Sequence, residues 1–146
     1  MSEEFAAMMR RFESRTMDLG GSVGKLAEES GLADDFTLFG GFGGALQQPS
    51  EIHDRAALAL ARFSEGTLRY ENLRSGHSGD LGYAVGVEHG RVTGTGAAAP
   101  TEFHVRVTHL FRRTDGTWKM IHRHADTNAE RMPAERIAEL FSGTAS

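Results

Sequence analysis

The chain has 146 residues, 39% of them hydrophobic and 25% charged, which is one ordinary domain with enough apolar material for a real core. Its formal net charge of −4, with arginines paired only at Arg10-Arg11 and Arg112-Arg113, argues against a nucleic-acid surface. With no cysteine, disulfides, thiolate metal sites and a cysteine nucleophile are all excluded.

The opening "MSEEFAAMMRRFES" is acidic and amphipathic and lacks the continuous apolar stretch of a signal peptide. No apolar run reaches the length of a membrane span, so no membrane association is expected and a cytoplasmic location is the default. Residues 3–19 are predicted as a helix, since Phe5, Met8, Met9, Phe12, Thr16 and Leu19 recur at helical spacing before Gly20-Gly21. A short helix is expected over 22–30, with Ser22 as cap and Gly31 as stop. A strand over 35–39 runs into the glycine-rich loop 40–44. The third helix begins near Pro49, with Ser50 as N-cap and Ile52, Ala56, Ala59, Leu60 and Phe63 as its buried stripe. From there the period changes from helical to alternating. Strands are predicted over 67–76, 80–89, 103–113 and 117–126, with turns at His77-Ser78-Gly79 and Thr114-Asp115-Gly116. Pro133 opens a short C-terminal helix. No repeat or second domain is visible, so 1–146 is read as one unit. Helices followed by a long antiparallel meander give an α+β fold, with N-terminal helices over one face of a strongly curved, cone-shaped sheet. The helix-covered mouth of such a cone is a natural ligand pocket.

Three stretches carry a resemblance to a known family: "DDFTLFGGFGG" (34–44), "SGDLGYAVGVEHG" (78–90) and "RVTHLFRRTDGTWKMIHRHAD" (106–126). They resemble the nuclear transport factor 2-like superfamily, in its SnoaL-like and ketosteroid-isomerase-like branch, with a cystatin-like roll as the implied fold. The third stretch is also similar to the association domain of calcium/calmodulin-dependent protein kinase, which shares the strand–Asp-Gly–Trp–strand pattern ending in His-x-His. The resemblance spans nearly the whole chain. It implies a fold and no single chemistry, because this superfamily hosts isomerases, cyclases, dehydratases and non-catalytic assembly domains.

Two hairpin registers are compatible with the turn. A two-residue turn at Asp115-Gly116 pairs Arg113 with Trp118 and His109 with His122, which puts His122 and His124 on the pocket face. A three-residue loop shifts the pairing by one and moves every side chain of one strand to the other face of its partner. His109 then shares a face with Arg123 and Ala125. The opposite face carries Arg106, Leu110, Trp118, Met120, His122 and His124, a stripe expected to be covered by a second subunit as a homodimer interface. The resemblance favours this second register. Pocket arginines of the kinase association domain fall at the positions of His109 and Ala125, so the anion-binding pair is lost here and Arg123 replaces part of it.

The expected pocket therefore has Tyr83, His109 and Arg123 as polar contacts, with Phe39 and Phe42 at its mouth or in the core. Its ligand is a small organic molecule, anionic or carbonyl-containing. A buried imidazole near Arg123 would stay neutral and able to act as a general base, which makes His109 the catalytic candidate. His122-x-His124 points two imidazoles the same way, with His109, Asp126 or His104 as third ligand. Hydrogen-bonded histidines are the preferred reading there, and neither metal nor cofactor is expected. Glu88, near an anticipated strand end, is read as an ion-pair partner for an arginine. Asp34, Asp35 and Asp54 are read as turn or helix-start charges. The leading function is a small-molecule-binding domain. The alternatives are a SnoaL-like isomerase, cyclase or dehydratase, and a non-catalytic assembly module.

Overall fold

The computed structural model describes residues 2–13, 16–18, 31–48, 50–52, 54, 58 and 61–143. The expected helix over 22–30, with its Ser22 cap, lies outside these residues. Helix α1 spans Glu3–Glu13. Ser2 caps it: its Oγ accepts from Phe5 N–H at 3.3 Å and its carbonyl accepts from Ala6 N–H at 3.0 Å. Glu3 and Glu4 in the first turn and Arg10 and Arg11 in the last complement the helix dipole. The helix ends six residues earlier than expected. Thr16–Asp18 forms strand β1 instead, paired with Thr67–Arg69. The unpaired edge of a very long neighbouring strand offers this segment a backbone ladder that outweighs its helical spacing.

The remaining strands are β2 (Leu32–Phe39), β3 (Ala45–Leu46), β4 (Phe63–Ser78), β5 (Leu81–Gly94), β6 (Thr101–Thr114) and β7 (Thr117–Asp126). A C-terminal helix, α2, covers Ala134–Ser142. The described strands make one curved, open sheet in the order β1-β4-β5-β6-β7-β2-β3. The α+β roll is as anticipated, with one difference: β2 runs parallel to β7, so the sheet is mixed. Ser50 is itself helical and Ile52 N–H donates to Gln48 O at 3.2 Å, so that helix starts before the expected cap. Asp35 lies inside β2, where it forms a two-pronged pair with Arg112 (2.7 and 3.0 Å) that holds its carboxyl below the usual range.

The inner face of the sheet carries the core. Phe5 and Met9 from α1 pack with Phe36, Tyr70, Ala84, Val105, Val107, Phe111, Trp118, Met120 and Ala125. Along β5 a glycine recurs every four residues on this face, and each leaves room for a ring. A Cβ at Gly82 would lie 2.5 Å from the Phe5 ring, and one at Gly90 would lie 2.2 Å from Phe103. At Gly86 a Cβ would meet the Tyr70 ring at 2.6 Å and the Glu71 carbonyl oxygen at 2.3 Å.

The hairpin between β6 and β7 uses both anticipated registers. Asp115 (φ 51°) and Gly116 (φ 77°) form a two-residue turn, and Arg113 faces Trp118. Past Phe111–Met120 the register shifts, with Ile121 as the extra residue of a bulge. Leu110 then faces His122 and His109 faces Arg123. The bulge reverses which face each later residue of β7 occupies. Trp118 and Met120 are consequently buried on the inner face, 8% and 4% exposed, and the expected interface stripe does not hold for them.

Candidate functional site

Ionisable groups converge at the centre of the inner face. Glu88 comes from β5, Arg123 from β7, His109 from β6 and Tyr70 from β4. Glu88 is 5% exposed and His109 1%. The Arg123 guanidinium bridges Glu88 with two parallel bonds, 2.5 and 2.8 Å long. The same Nη1 lies 2.9 Å from His109 Nε2. A guanidinium only donates, so Nε2 must be an acceptor, and the neutral ring carries its proton on Nδ1. That Nδ1–H is buried and has no hydrogen-bond partner among the described residues. Burial, the Arg123 charge and His122 together hold the His109 pKa well below its ordinary value. Phe12 stands edge-on to the imidazole at 4.9 Å, and Tyr70 does so at 5.7 Å. Tyr70 donates to Asn72 Oδ1 at 3.3 Å, and burial above all, with help from the Glu88 charge, pushes its phenol above the ordinary range.

Of the anticipated site residues, the fold brings His109 and Arg123 together and separates the others. Tyr83 alternates onto the outer face, where it pairs with Gly76 and Leu110, so it cannot touch the same ligand. Its neighbours Gly82 and Ala84 are the ones that face inward. Phe39 is also on the outer side, with its ring 5.1 Å from both His122 and His124. Phe42 sits at the rim, 6.0 Å from Phe103. It belongs to the glycine-rich loop, which closes a tight turn through Gly43 N–H to Gly40 O at 3.0 Å. Gly41 in that loop rests over Val105 and Ala125, and even a Cβ there would come within 3.2 Å of Val105.

The outer face keeps four of the six expected interface residues. Arg106 is tied to Asp126 by two bonds of 2.8 Å, and His122 Nδ1 lies 2.7 Å from Thr37 Oγ1. Leu110 is 38% exposed, and His124 sits under Phe39. Without Trp118 and Met120 the stripe loses its apolar character. No group of three His, Asp or Glu side chains among the described residues is arranged to hold a metal ion.

Glu88 is the residue that the sequence reading undervalued. It shares parity with Gly82, Ala84 and Gly86, which places it on the inner face, but it was set near a strand end. The strand in fact continues six residues further, to Gly94, and buries it.

An apolar-to-polar groove of about 570 Å³ opens away from this centre, between the glycine loop and the end of β7, with Phe39, Phe42, His124 and Asp126 among its walls.

Known proteins share this architecture. A protein of the nuclear transport factor 2-like superfamily from Salmonella enterica superimposes with a TM-score of 0.71 at 14% identity, covering 91% of this chain and 94% of that one. A candidate calcium/calmodulin-dependent protein kinase II association domain from Xanthomonas campestris gives 0.65 at 17% identity, covering 88% of each chain. A candidate dehydratase of the superfamily from Streptomyces avermitilis gives 0.64 at 14% identity, covering 88% and 97%. No curated protein sequence matches the chain. Among the described residues no helix is long and apolar enough to cross a membrane. The SnoaL-like domain profile matches residues 27–126, a span that runs from ahead of β2 to the last residue of β7 and includes Glu88, His109 and Arg123, so the chain belongs to the SnoaL-like domain family of the nuclear transport factor 2-like superfamily.

Proposed function

We propose that this protein binds a small, uncharged organic molecule bearing a carbonyl or similar acceptor, on the inner face of the sheet at Glu88, His109 and Arg123. The observation that supports this reading is the buried imidazole whose Nδ1–H has no partner, beside an ion pair that the apolar core does not need. An unsatisfied buried donor costs roughly 1–3 kcal/mol, and such groups concentrate where a ligand completes them. Charge narrows the ligand class. Glu88 already neutralises Arg123, so the site offers no net positive charge to an anion. The guanidinium has five N–H donors, and the described contacts use three, leaving two for a neutral acceptor.

Thermal-shift and calorimetric screening of a library of neutral aromatic aldehydes and ketones tests this. Binding that weakens at least tenfold in His109→Phe, which keeps the ring and removes the N–H, supports the reading. Carbonyl compounds that fail to bind, or bind equally well to His109→Phe, refute it.

A catalytic reading has one observation in its favour: a carboxylate and a neutral imidazole donor sit on either side of the same guanidinium. In that case Glu88 is the base and His109 the hydrogen-bond donor, because the Nε2 lone pair of His109 is engaged by Arg123. Turnover of any identified substrate would then fall at least a hundredfold in Glu88→Gln while binding persists.

A further inference from the structure

Helix α2 is the one described helix that packs on nothing. It has nine residues, and none of residues 127–143 is buried. Its internal supports are an Arg136–Glu139 pair at 3.1 Å, a Ser142 Oγ–H bond to Glu139 O at 3.0 Å and a left-handed Gly143 (φ 74°) at its C-cap. Isolated helices shorter than about 12–15 residues are marginal in water, and most helical stability comes from packing an amphipathic face. Such a face is present. Ile137, Leu140 and Phe141 stand at i, i+3 and i+4, 44%, 49% and 87% exposed. This is the anchor spacing by which a helix seats in an apolar groove.

The same chain carries a groove of matching character, the 570 Å³ opening beside the glycine loop. Phe42, 80% exposed, and Phe39, 44% exposed, supply its aromatic walls, and Ala45 and Ala125 are further apolar lining. Thr127 and Asn128, where the arm leaves the sheet, form its rim. The chain's own groove is therefore within reach, yet the arm leads away from it. Asn128 N–H is held to Asp126 Oδ1 at 3.0 Å, and Pro133 (φ −59°, ψ 146°) continues extended before the helix starts.

We infer that α2 is an exchange arm: the helix of one copy seats Ile137, Leu140 and Phe141 in the Phe39–Phe42 groove of a second copy, and the second copy reciprocates. Area argues for exchange over a one-sided contact. An aromatic side chain buries about 150–250 Å², so one seated helix covers roughly 500 Å² in all, the scale of an incidental contact. Two reciprocal arms cover roughly 1,000 Å², which is where specific interfaces begin. Reciprocity also closes the assembly at two copies, whereas a one-way helix-into-groove contact would propagate into a filament. This inference does not depend on the Glu88–His109–Arg123 hollow.

The absence of cysteine makes a clean test possible. In a Phe42→Cys/Phe141→Cys variant, mild oxidation should join two chains, giving disulfide-linked dimers on a non-reducing gel. A cross-link within one chain, or none, overturns the inference. In parallel, sedimentation equilibrium of the unmodified protein should give twice the 15.9 kDa chain mass. A Leu140→Asp/Phe141→Asp variant, altered only at exposed positions, should dimerise at least a hundredfold more weakly while its circular dichroism retains the sheet signal. A monomeric parent, or a variant that stays equally dimeric, overturns it as well.

Discussion

Removing the guanidinium at position 123 is the most informative single perturbation. In Arg123→Met the Glu88 carboxylate, with 6% side-chain exposure, loses the partner that binds both of its oxygens. Breaking a buried pair from one side costs about 3–5 kcal/mol, because the remaining charge is left without compensation. His109 Nε2 loses its donor as well, which adds roughly 1 kcal/mol for a buried unsatisfied acceptor. The single variant should therefore be about 4–6 kcal/mol less stable at pH 7, and its Tm should fall by more than about 10 °C. Replacing the pair with apolar residues of similar length, Glu88→Leu/Arg123→Met, removes the stranded charge. Exchanges of this kind are often neutral or stabilising. The double variant should recover all but the roughly 1 kcal/mol that belongs to Nε2. Urea titrations of the four proteins in the cycle measure this. A coupling energy below about 0.5 kcal/mol would mean that the two residues act independently, and the account of the site as one buried unit would fail.

Three further expectations follow from the same coordinates. His109 has a folded-state pKa below its unfolded value, so the native state binds fewer protons than the unfolded chain as pH drops below about 6.5. Its contribution is complete above that pH and declines below it by up to about 1.4 kcal/mol per pH unit; His109→Phe should flatten that part of a stability–pH curve, and an unchanged slope would contradict the burial. Gly86→Ala places a methyl 2.3 Å from the Glu71 carbonyl oxygen, where backbone must move, and should destabilise by about 1–3 kcal/mol in chemical denaturation. Phe5→Ala empties a fully buried site against Phe111 and Trp118, and should cost about 3–5 kcal/mol, with tryptophan fluorescence shifted to the red as water reaches Trp118.

The limits of sequence reading are physical and local. Strand order along the meander and the presence of a curved sheet follow from alternation and turn residues. The hairpin register did not, because each candidate register was treated as extending over the whole pair. The phase slip is written in the chain: Trp118 and Met120 have one parity, Arg123 and Ala125 the other, and the adjacent apolar residues Met120-Ile121 mark the step. A bulge was the only arrangement that buries both sets. Alternation also put Tyr83 opposite Gly82 and Ala84; it was joined to the pocket by analogy with polar lining, and its parity was against it. The long reach of β5 past Glu88 was hidden by the glycines at 86, 90 and 94, which look like breakers until the rings that fill their places are known.

Comparison with the association-domain pattern turns on charge. Where that pattern resembles this chain, its two pocket arginines correspond to His109 and Ala125. Here one arginine, at 123, stands between those two positions on the inner face, and a carboxylate from β5 meets it. At about 4 Å and an effective dielectric constant near 20, a lone arginine attracts a carboxylate ligand by roughly 4 kcal/mol, and a carboxylate fixed on that arginine offsets most of the attraction. The substitution of His109 supplies a neutral donor in place of a second cation, and Ala125 supplies only packing under the glycine loop. Both changes, together with Glu88, move the hollow in one direction, from anion recognition to hydrogen bonding with a neutral acceptor. Reinstating the cations by His109→Arg/Ala125→Arg in a Glu88→Gln background should reverse that preference, with benzoate gaining at least tenfold over benzaldehyde in calorimetric affinity. If benzoate already outcompetes benzaldehyde in the unaltered protein, the charge argument is wrong.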